Sequence, residues 1–445
     1  MFIRKQIMNY ALKMKNYIDE HRIESKESAL KTTMTIQASE LNAGGPNYTR
    51  TLHIPKFYTQ EDKKRFESIV DTMYQIFSKV IKAYQSDEKI RKLFGFSKEL
   101  EELILLKPRY DSLIPICRVD IFYDEKTKEF GFCEFNTDGT SAMNENKRLN
   151  EFLSLNNAFM ALDTDFEIME LVNTWVDVFL KICHTDPKLK EKPNIAIVDF
   201  LDKAYLNELY VFERVFKEKG YQCEVVDIRN LEYRDHKLWS TKSGMQVDVI
   251  YRRAVTKDVM ENLEFVKDFI DAIKADDVSI IGAFQTQLIH HKCINQVLLD
   301  PLMQKYFTQE EVAYIEKHLP KTYDLTKDVA DMIKEDKNQW IIKPKDSYAA
   351  KGVWAGVDLN TEEWKHEVEH WIDKDYIAQE YIIPYKTENI DLVNYDDYQM
   401  YSNLTGLYVY DGKFAGVYSR LSDSGIISTQ YNEKTVPTLF IKEES

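Results

Sequence analysis

Two runs of alternating residues, 117–123 and 132–136, constrain this chain more than any other stretch. Val119, Ile121 and Tyr123 alternate with Arg118, Asp120 and Phe122; on the return, Cys133 and Phe135 alternate with Phe132, Glu134 and Asn136. Side chains on a strand have period two, so each set shares a face. A short charged loop joins the runs, which predicts a hairpin. If Val119 and Ile121 share a buried face with Cys133 and Phe135, then Asp120 lies opposite Glu134 and Arg118 opposite Asn136. A slip of one residue would put Glu134 among apolar side chains. Two carboxylates facing each other across a ladder repel. A cation between them removes the penalty, and Asp, Glu and an Asn carbonyl are hard oxygen ligands suited to magnesium carried with phosphates. The plainer reading is a solvated face with an Arg between two acids. The polar face runs on into Thr137, Asp138, Gly139, Thr140 and Ser141, with Glu145 close behind. Both readings stay open on this stretch alone.

A chain of 445 residues is long enough for two or three domains and a large core. The formal net charge of −15 argues against nucleic acid as a partner. Five cysteines without a C-x-x-C spacing fit reduced, mostly buried thiols and a cytoplasmic location. No window approaches the length of a membrane span, and the N-terminus lacks the apolar stretch of a signal peptide.

Residues 1–108 read as mainly helical. Thr59 and Asp62 make a capping-box start. Phe66, Ile69, Val70, Met73, Ile76, Phe77, Val80, Ala83 and Tyr84 then recur at helical spacing and predict plain core. Residues 41–50 form a loop by composition, either a connection or a pocket wall. From residue 194 the rhythm changes. The apolar run 194–200 reads as a buried parallel strand. Residues 206–219 have helical period and end at Gly220. Further strands are predicted at 223–228, 247–251 and 278–282, so a small parallel sheet covered by helices is expected. No G-x-G-x-x-G follows the first strand, and no dinucleotide site is assigned. Arg252 and Arg253 end a strand where open parallel sheets bind ligands: one of them meets a substrate carboxylate or phosphate, or both are surface charge.

Later, the strand 340–344 carries Lys343, and a polar loop with Gly352 leads to a strand at 353–357. Such a pair with a flexible loop can fold over phosphates and offer backbone N–H groups to them. Residues 376–383 form a strand stopped by Pro384. Residues 404–410 and 413–418 pair around Asp411-Gly412, with Arg420 closing the second strand and a loop over 422–428. His290 and His291 are adjacent and do not face each other on a helix, so they are not read as zinc ligands.

In this order the motifs resemble glutathionylspermidine synthase and its relatives, the circularly permuted ATP-grasp ligases, over their synthetase portion. The resemblance runs from about residue 110 to the end. It rests on Arg118-Val-Asp120, then Glu134-Phe-Asn136 with Asp138 and Glu145 at matching offsets, Lys292 after the central sheet, Lys343-Pro344 before Gly352, Gln379 to Ile382, and Arg420 before Ser422-Asp-Ser-Gly425. It implies an α/β (α+β) fold with ATP-grasp-like mixed sheets, a small parallel pre-ATP-grasp domain and a helical N-terminal region. The expected divisions are 1–108, 109–185 for the metal- and phosphate-binding hairpin part, 186–290 for the parallel domain, and 291–445 for the lid and nucleotide-binding part.

The resemblance also implies roles. Asp120, Glu134 and Asn136 would hold magnesium, two ions in all, bridging the phosphates of ATP. Lys292 and Lys343 would be point charges on those phosphates, with the Gly352 loop a lid over them. Gln379, Glu380, Tyr381 and Ile382 would cradle adenine through backbone groups. Arg118 and Arg420 would stabilise charge on the transferring phosphoryl group. The implied reaction is ligation: a small-molecule or peptide carboxylate takes the γ-phosphoryl group of ATP, and an amine displaces phosphate from the acyl phosphate. No nucleophilic side chain is needed, so the cysteines can be inert. The bifunctional relatives carry an amidase domain ahead of the synthetase; no matching pattern precedes residue 110, so no amidase activity is expected. Two other readings stand beside the ligase: a nucleotide-binding scaffold of the same fold without turnover, and a kinase that stops at phosphoryl transfer to a hydroxyl. Oligomeric state is left open.

Overall fold

A computed structural model describes residues 2–44, 47–347, 351–427 and 433–442. Its centre is a six-stranded antiparallel sheet. Lys434–Val436, Lys413–Ser422, Gln399–Tyr410, Ile116–Tyr123 and Phe130–Asn136 follow one another across it, and Lys386–Asn389 adds to the free end of Gln399–Tyr410. The expected register holds at the polar end of the hairpin: Arg118 is opposite Asn136, Val119 opposite Phe135 and Asp120 opposite Glu134. It then shifts. Ile121 pairs with Phe132, which leaves Cys133 as the extra residue of a bulge. Phe132, not Cys133, therefore joins Val119, Ile121 and Phe135 in the core, and Cys133 is only half-buried.

The apolar face of this sheet packs on the helix Gln60–Ser86. The stripe from Phe66 to Tyr84 lies in one cluster with Val119, Ile121, Phe135, Leu407, Val409 and Val417. Each such side chain contributes about 1.5–3 kcal/mol by leaving water. The helix begins with the expected box: Thr59 accepts from the Asp62 N–H, and Asp62 accepts from the Thr59 N–H. The other oxygen of Asp62 accepts from Tyr123 Oη at 2.5 Å and from Lys128 Nζ at 2.6 Å. One carboxylate thus fixes the helix start and ties the hairpin to it. With one face covered, the sheet's polar face is left for a ligand.

The predicted parallel sheet is present, in the order Ser279–Ile281, Val249–Arg252, Ile195–Asp199, Cys223–Asp227. Its side chains enter the main core from one face and a second core around Trp175, Phe179 and Phe212 from the other. A two-sided burial of this kind explains the unbroken apolar runs. A third sheet, Thr322–Asp324, Tyr376–Glu380, Trp340–Pro344 and Trp354–Ala355, packs over Trp364 and Ile333. The strand predicted at 353–357 is cut to two residues by a 3-10 turn at Gly356–Asp358. Several short strands carried no signal in the sequence, among them Lys56–Tyr58, which pairs in parallel with Thr438–Ile441. The Asp411-Gly412 turn is as expected, both residues at positive φ, but its strands run on to Gln399 and Ser422. Among the described residues no helix is long and apolar enough to cross a membrane.

His53 lies buried where residues 53–54 meet Asn156 and Ile390, and its Nε2 has no partner among the described residues. Burial outweighs a hydrogen bond to Asn157 and lowers its pKa to about 4. The folded state then resists protonation while the unfolded chain binds a proton below pH 6.5. Stability contributed by neutral His53 is present above that pH and falls by about 1.4 kcal/mol per unit toward pH 4. Denaturant unfolding at pH 7, 6 and 5 should show a shallower loss for His53→Gln than for the native chain; equal slopes would contradict the burial of a neutral imidazole.

Candidate active site

The polar face of the central sheet, the strand Trp340–Pro344, the segment after Tyr376–Glu380 and the first turn of the helix Met143–Phe152 enclose a cleft of about 330 Å³. Its floor is a charge cluster. Asp120 is fully buried and receives Arg118 in a fork, Nε to Oδ1 at 2.7 Å and Nη2 to Oδ2 at 3.1 Å. Arg420 Nη2 reaches the same Oδ2 at 2.6 Å, although Arg420 lies on a strand 300 residues away. Asn136 Nδ2 bridges Asp120 at 3.0 Å and Glu134 Oε1 at 3.3 Å. The two acids therefore converge, as the register requires.

Lys292 and Lys343 face them from the other elements. Lys292 Nζ donates to the Ser347 carbonyl at 2.8 Å, and Lys343 Nζ points to the Cys133 carbonyl at 3.5 Å. Both are buried, and neither makes an ion pair with a described residue. Burial pushes Lys292 down, with the charge of Glu134 working against it. Glu134 shows the summed field: burial would raise its pKa, but Lys292, Lys343, Arg420 and Arg118 together hold it at about 2. Four cationic side chains stand here against the carboxylates of Asp120, Glu134 and Glu433, an excess of positive charge that favours an anion at this end of the cleft.

All the predicted site residues except Gly352 line this cleft or touch it. Arg118, Glu134, Asn136, Lys292, Lys343, Gln379, Glu380, Tyr381, Ile382 and Arg420 are on its wall, and Asp120 lies beneath, bonded to both arginines. Gln379 spends its amide on Thr322 Oγ1 at 2.9 Å and sits mid-sheet between Thr322 and Ile341. The chain leaves the sheet after Glu380; Tyr381 N–H bonds the Gln339 carbonyl, and Ile382 lies over Gly131, where a Cβ would come within 2.6 Å of it. Gly352 is outside the wall but is required at φ +71°, with the Tyr376 hydroxyl 2.5 Å from where a Cβ would stand. Tyr348, Ala349 and Ala350 of the expected lid lie outside the described residues, as does Ser428 at the end of the loop predicted over 422–428.

Arg252 and Arg253 are not surface charge. Arg252 pairs with Asp138 at 2.5 Å and donates to the carbonyls of Gly282 and Ala254. Asp138 also accepts from the Thr256 N–H at 2.5 Å. This pair fastens the turn after the hairpin to the C-terminal end of Val249–Arg252, an inner strand of the parallel sheet. Arg253 pairs with Glu208 at 2.8 Å. Several cleft residues carried no individual signal. Gly406 lies under the charge cluster: a Cβ there would stand 2.8 Å from both Arg118 Cδ and Asp120 Oδ1. Glu433 holds Arg420 from the far side at 3.6 Å. Tyr418 bonds Glu145 at 2.5 Å, and both arginines lie over its ring.

Magnesium fits the floor by donor chemistry. Asp120, Glu134 and the Asn136 carboxamide are oxygen donors that converge on one face. The fit needs Oδ1 of Asn136 turned inward where Nδ2 now points, and an Asp120 oxygen released from the Arg118 or Arg420 guanidinium group that it now receives.

The protein is of mixed α/β type, with a polar sheet face and a second sheet on either side of a cleft with a cationic floor. The chain belongs to the circularly permuted ATP-grasp family: the model of that family, "a circularly permuted ATPgrasp", matches residues 139–379, more than half of the chain. Among solved structures it is similar to a glutathione synthetase-like effector from Globodera pallida, at TM-score 0.60 and 11% identity, over 94% of this chain and 97% of that one. A putative gamma-glutamylcysteine synthetase from Methylobacillus flagellatus KT matches at TM-score 0.44 and 10% identity, over 86% of this chain and 90% of that one. The first speaks for the fold alone, and the second adds nothing to the argument. A search of curated proteins gave no match.

Proposed function

We propose that the chain is an ATP-dependent ligase joining a carboxylate to an amine through an acyl phosphate, with release of ADP. The observation that carries this reading is the meeting of Arg118, Asp120, Glu134 and Arg420 on one sheet face with Lys292 and Lys343 opposite. Lys292 and Lys343 bind the phosphates of ATP, and residues 380–382 hold the adenine where the chain leaves the lid sheet. Asp120, Glu134 and Asn136 would hold magnesium, which when bound neutralises charge between the phosphates. Arg118 and Arg420 orient the carboxylate for in-line attack on the γ-phosphorus and meet the charge that spreads over its oxygens. Rate comes from positioning and a fixed field, without a protein nucleophile. The motif order of glutathionylspermidine synthase supports a peptide or amino acid as the carboxylate and an amine or polyamine as the acceptor.

The test is ADP release from magnesium–ATP with pools of carboxylates, with and without pools of amines and polyamines. Release that needs both pools is expected. A stable phosphorylated product formed without amine would overturn ligation in favour of a kinase, and ATP binding without turnover would favour a scaffold. Gly406→Ala is expected to lower that release by about 100-fold, because it displaces the Arg118–Asp120 pair by a fraction of an ångström while the fold survives. A variant melting like the native chain but turning over within threefold of it would show that the pair's position is immaterial.

A further inference from the structure

We infer that Glu145 takes the proton from the incoming amine, with the Tyr418 hydroxyl holding its carboxylate at the acceptor end of the cleft. This rests on the ligase reading above. Glu145 stands in the first turn of the helix Met143–Phe152. The residue before that helix, Ala142, has φ +79° and no side-chain cap, a conformation that costs a non-glycine residue free energy. That turn brings Ala142 and Glu145 to the cleft wall beside Ser141. Tyr418 Oη donates to one Glu145 oxygen at 2.5 Å and lies 3.0 Å from Thr435 Oγ1. The other oxygen has no hydrogen-bond partner, and no Lys or Arg makes an ion pair with this carboxylate, among the described residues. The Tyr418 ring carries Arg118 at 5.4 Å and Arg420 at 5.5 Å over its centroid. Glu145 thus lies one tyrosine away from the two guanidinium groups assigned to the phosphoryl group.

The chemistry asks for such a group. An aliphatic amine reaches the site as an ammonium ion, without a free lone pair. Glu145 carboxylate takes one proton and becomes the acid, and the freed nitrogen pair forms the C–N bond at the carbonyl carbon of the acyl phosphate. The carbon–oxygen bond to phosphate then breaks, its electron pair leaves with phosphate, and phosphate takes the second proton from nitrogen. Glu145 returns its proton to solvent. An ordinary carboxylate is a weak base for this work. Burial raises Glu145 to about 7, offset by the Tyr418 hydrogen bond and by Arg118 and reinforced by Glu433 and Glu208. Tyr205 and Tyr408 are the remaining titratable neighbours, and both stay neutral, raised mainly by burial.

Two small nucleophiles test this, with magnesium–ATP and a pool of the twenty amino acids as carboxylates. Hydroxylamine is neutral near pH 7 and traps an acyl phosphate as a hydroxamate; ammonium chloride must lose a proton first. Hydroxamate from the native chain supports the ligase reading, and its absence overturns that reading and this inference together. With hydroxamate formed, Glu145→Gln should lower amide formation from ammonium at least 100-fold at pH 7 and hydroxamate formation less than fivefold. Equal losses, or no amide from ammonium with the native chain, would overturn the role of Glu145 and leave the ligase reading standing. If the variant does not fold, the native pH profile decides. Amide formation should level off above about pH 7, whereas a continued tenfold rise per unit means that free ammonia attacks unaided.

Discussion

Arg420→Ala is expected to slow ADP release by about 10³-fold at saturating magnesium–ATP and substrates, with a much smaller change in ATP affinity. Arg420 is buried, its Nη2 is held by Asp120 at 2.6 Å and its Nη1 lies 3.6 Å from Glu433. Its Nε is buried without a hydrogen-bond partner among the described residues. A guanidinium so anchored, with one donor unspent beside the cleft, suits the role proposed for it, meeting charge that develops during phosphoryl transfer. Arg420→Lys keeps the charge and loses the planar fork, so it should recover less than tenfold. Steady-state ADP release decides: a rate within tenfold of native for the Ala variant would remove Arg420 from the chemistry.

The second large effect is on stability. Asp120→Ala should destabilise the native fold by about 3–5 kcal/mol. Asp120 is the shared partner of Arg118 and Arg420, all three buried, and Lys292 and Lys343 raise the positive field further. Without it two guanidinium groups remain in place with Glu134 and Glu433 as the nearest counter-charges. Denaturant unfolding at pH 7 should move the midpoint without changing the slope. The double change Asp120→Ala with Arg118→Leu should destabilise less than the single one, since it removes a stranded charge. A single-variant loss below about 1 kcal/mol would mean that the cluster is hydrated rather than interlocked.

The hairpin shows how far a sequence can be read. Alternation fixed which of its residues face the cleft, because a shifted register would bury Glu134. It could not reveal the bulge, since Phe132 and Cys133 are both apolar and either could take the inner position; packing against Tyr314 and Phe135 favours the larger ring. The cleft cations Lys292, Lys343 and Arg420 were reachable only through the order of motifs, because nothing local in the chain says that they meet. Asp138 and Arg252 illustrate the limit. Each is unremarkable alone, and their pairing depends on a parallel sheet docking beside the hairpin. The strands Lys56–Tyr58 and Thr438–Ile441 are too short for a period to appear, and Pro437 stands just ahead of the second. Gly406 had no signal at all, because its smallness serves side chains on a neighbouring strand.

Oxygen transfer tests the central claim most directly. With the carboxylate pool labelled with ¹⁸O in both carboxyl oxygens, magnesium–ATP and the amine pool, the inorganic phosphate formed should carry one ¹⁸O per turnover, and ADP none. That follows from attack of the carboxylate on the γ-phosphorus and later cleavage of the acyl carbon–oxygen bond. Unlabelled phosphate, or label appearing in AMP, would contradict an acyl phosphate formed in this cleft.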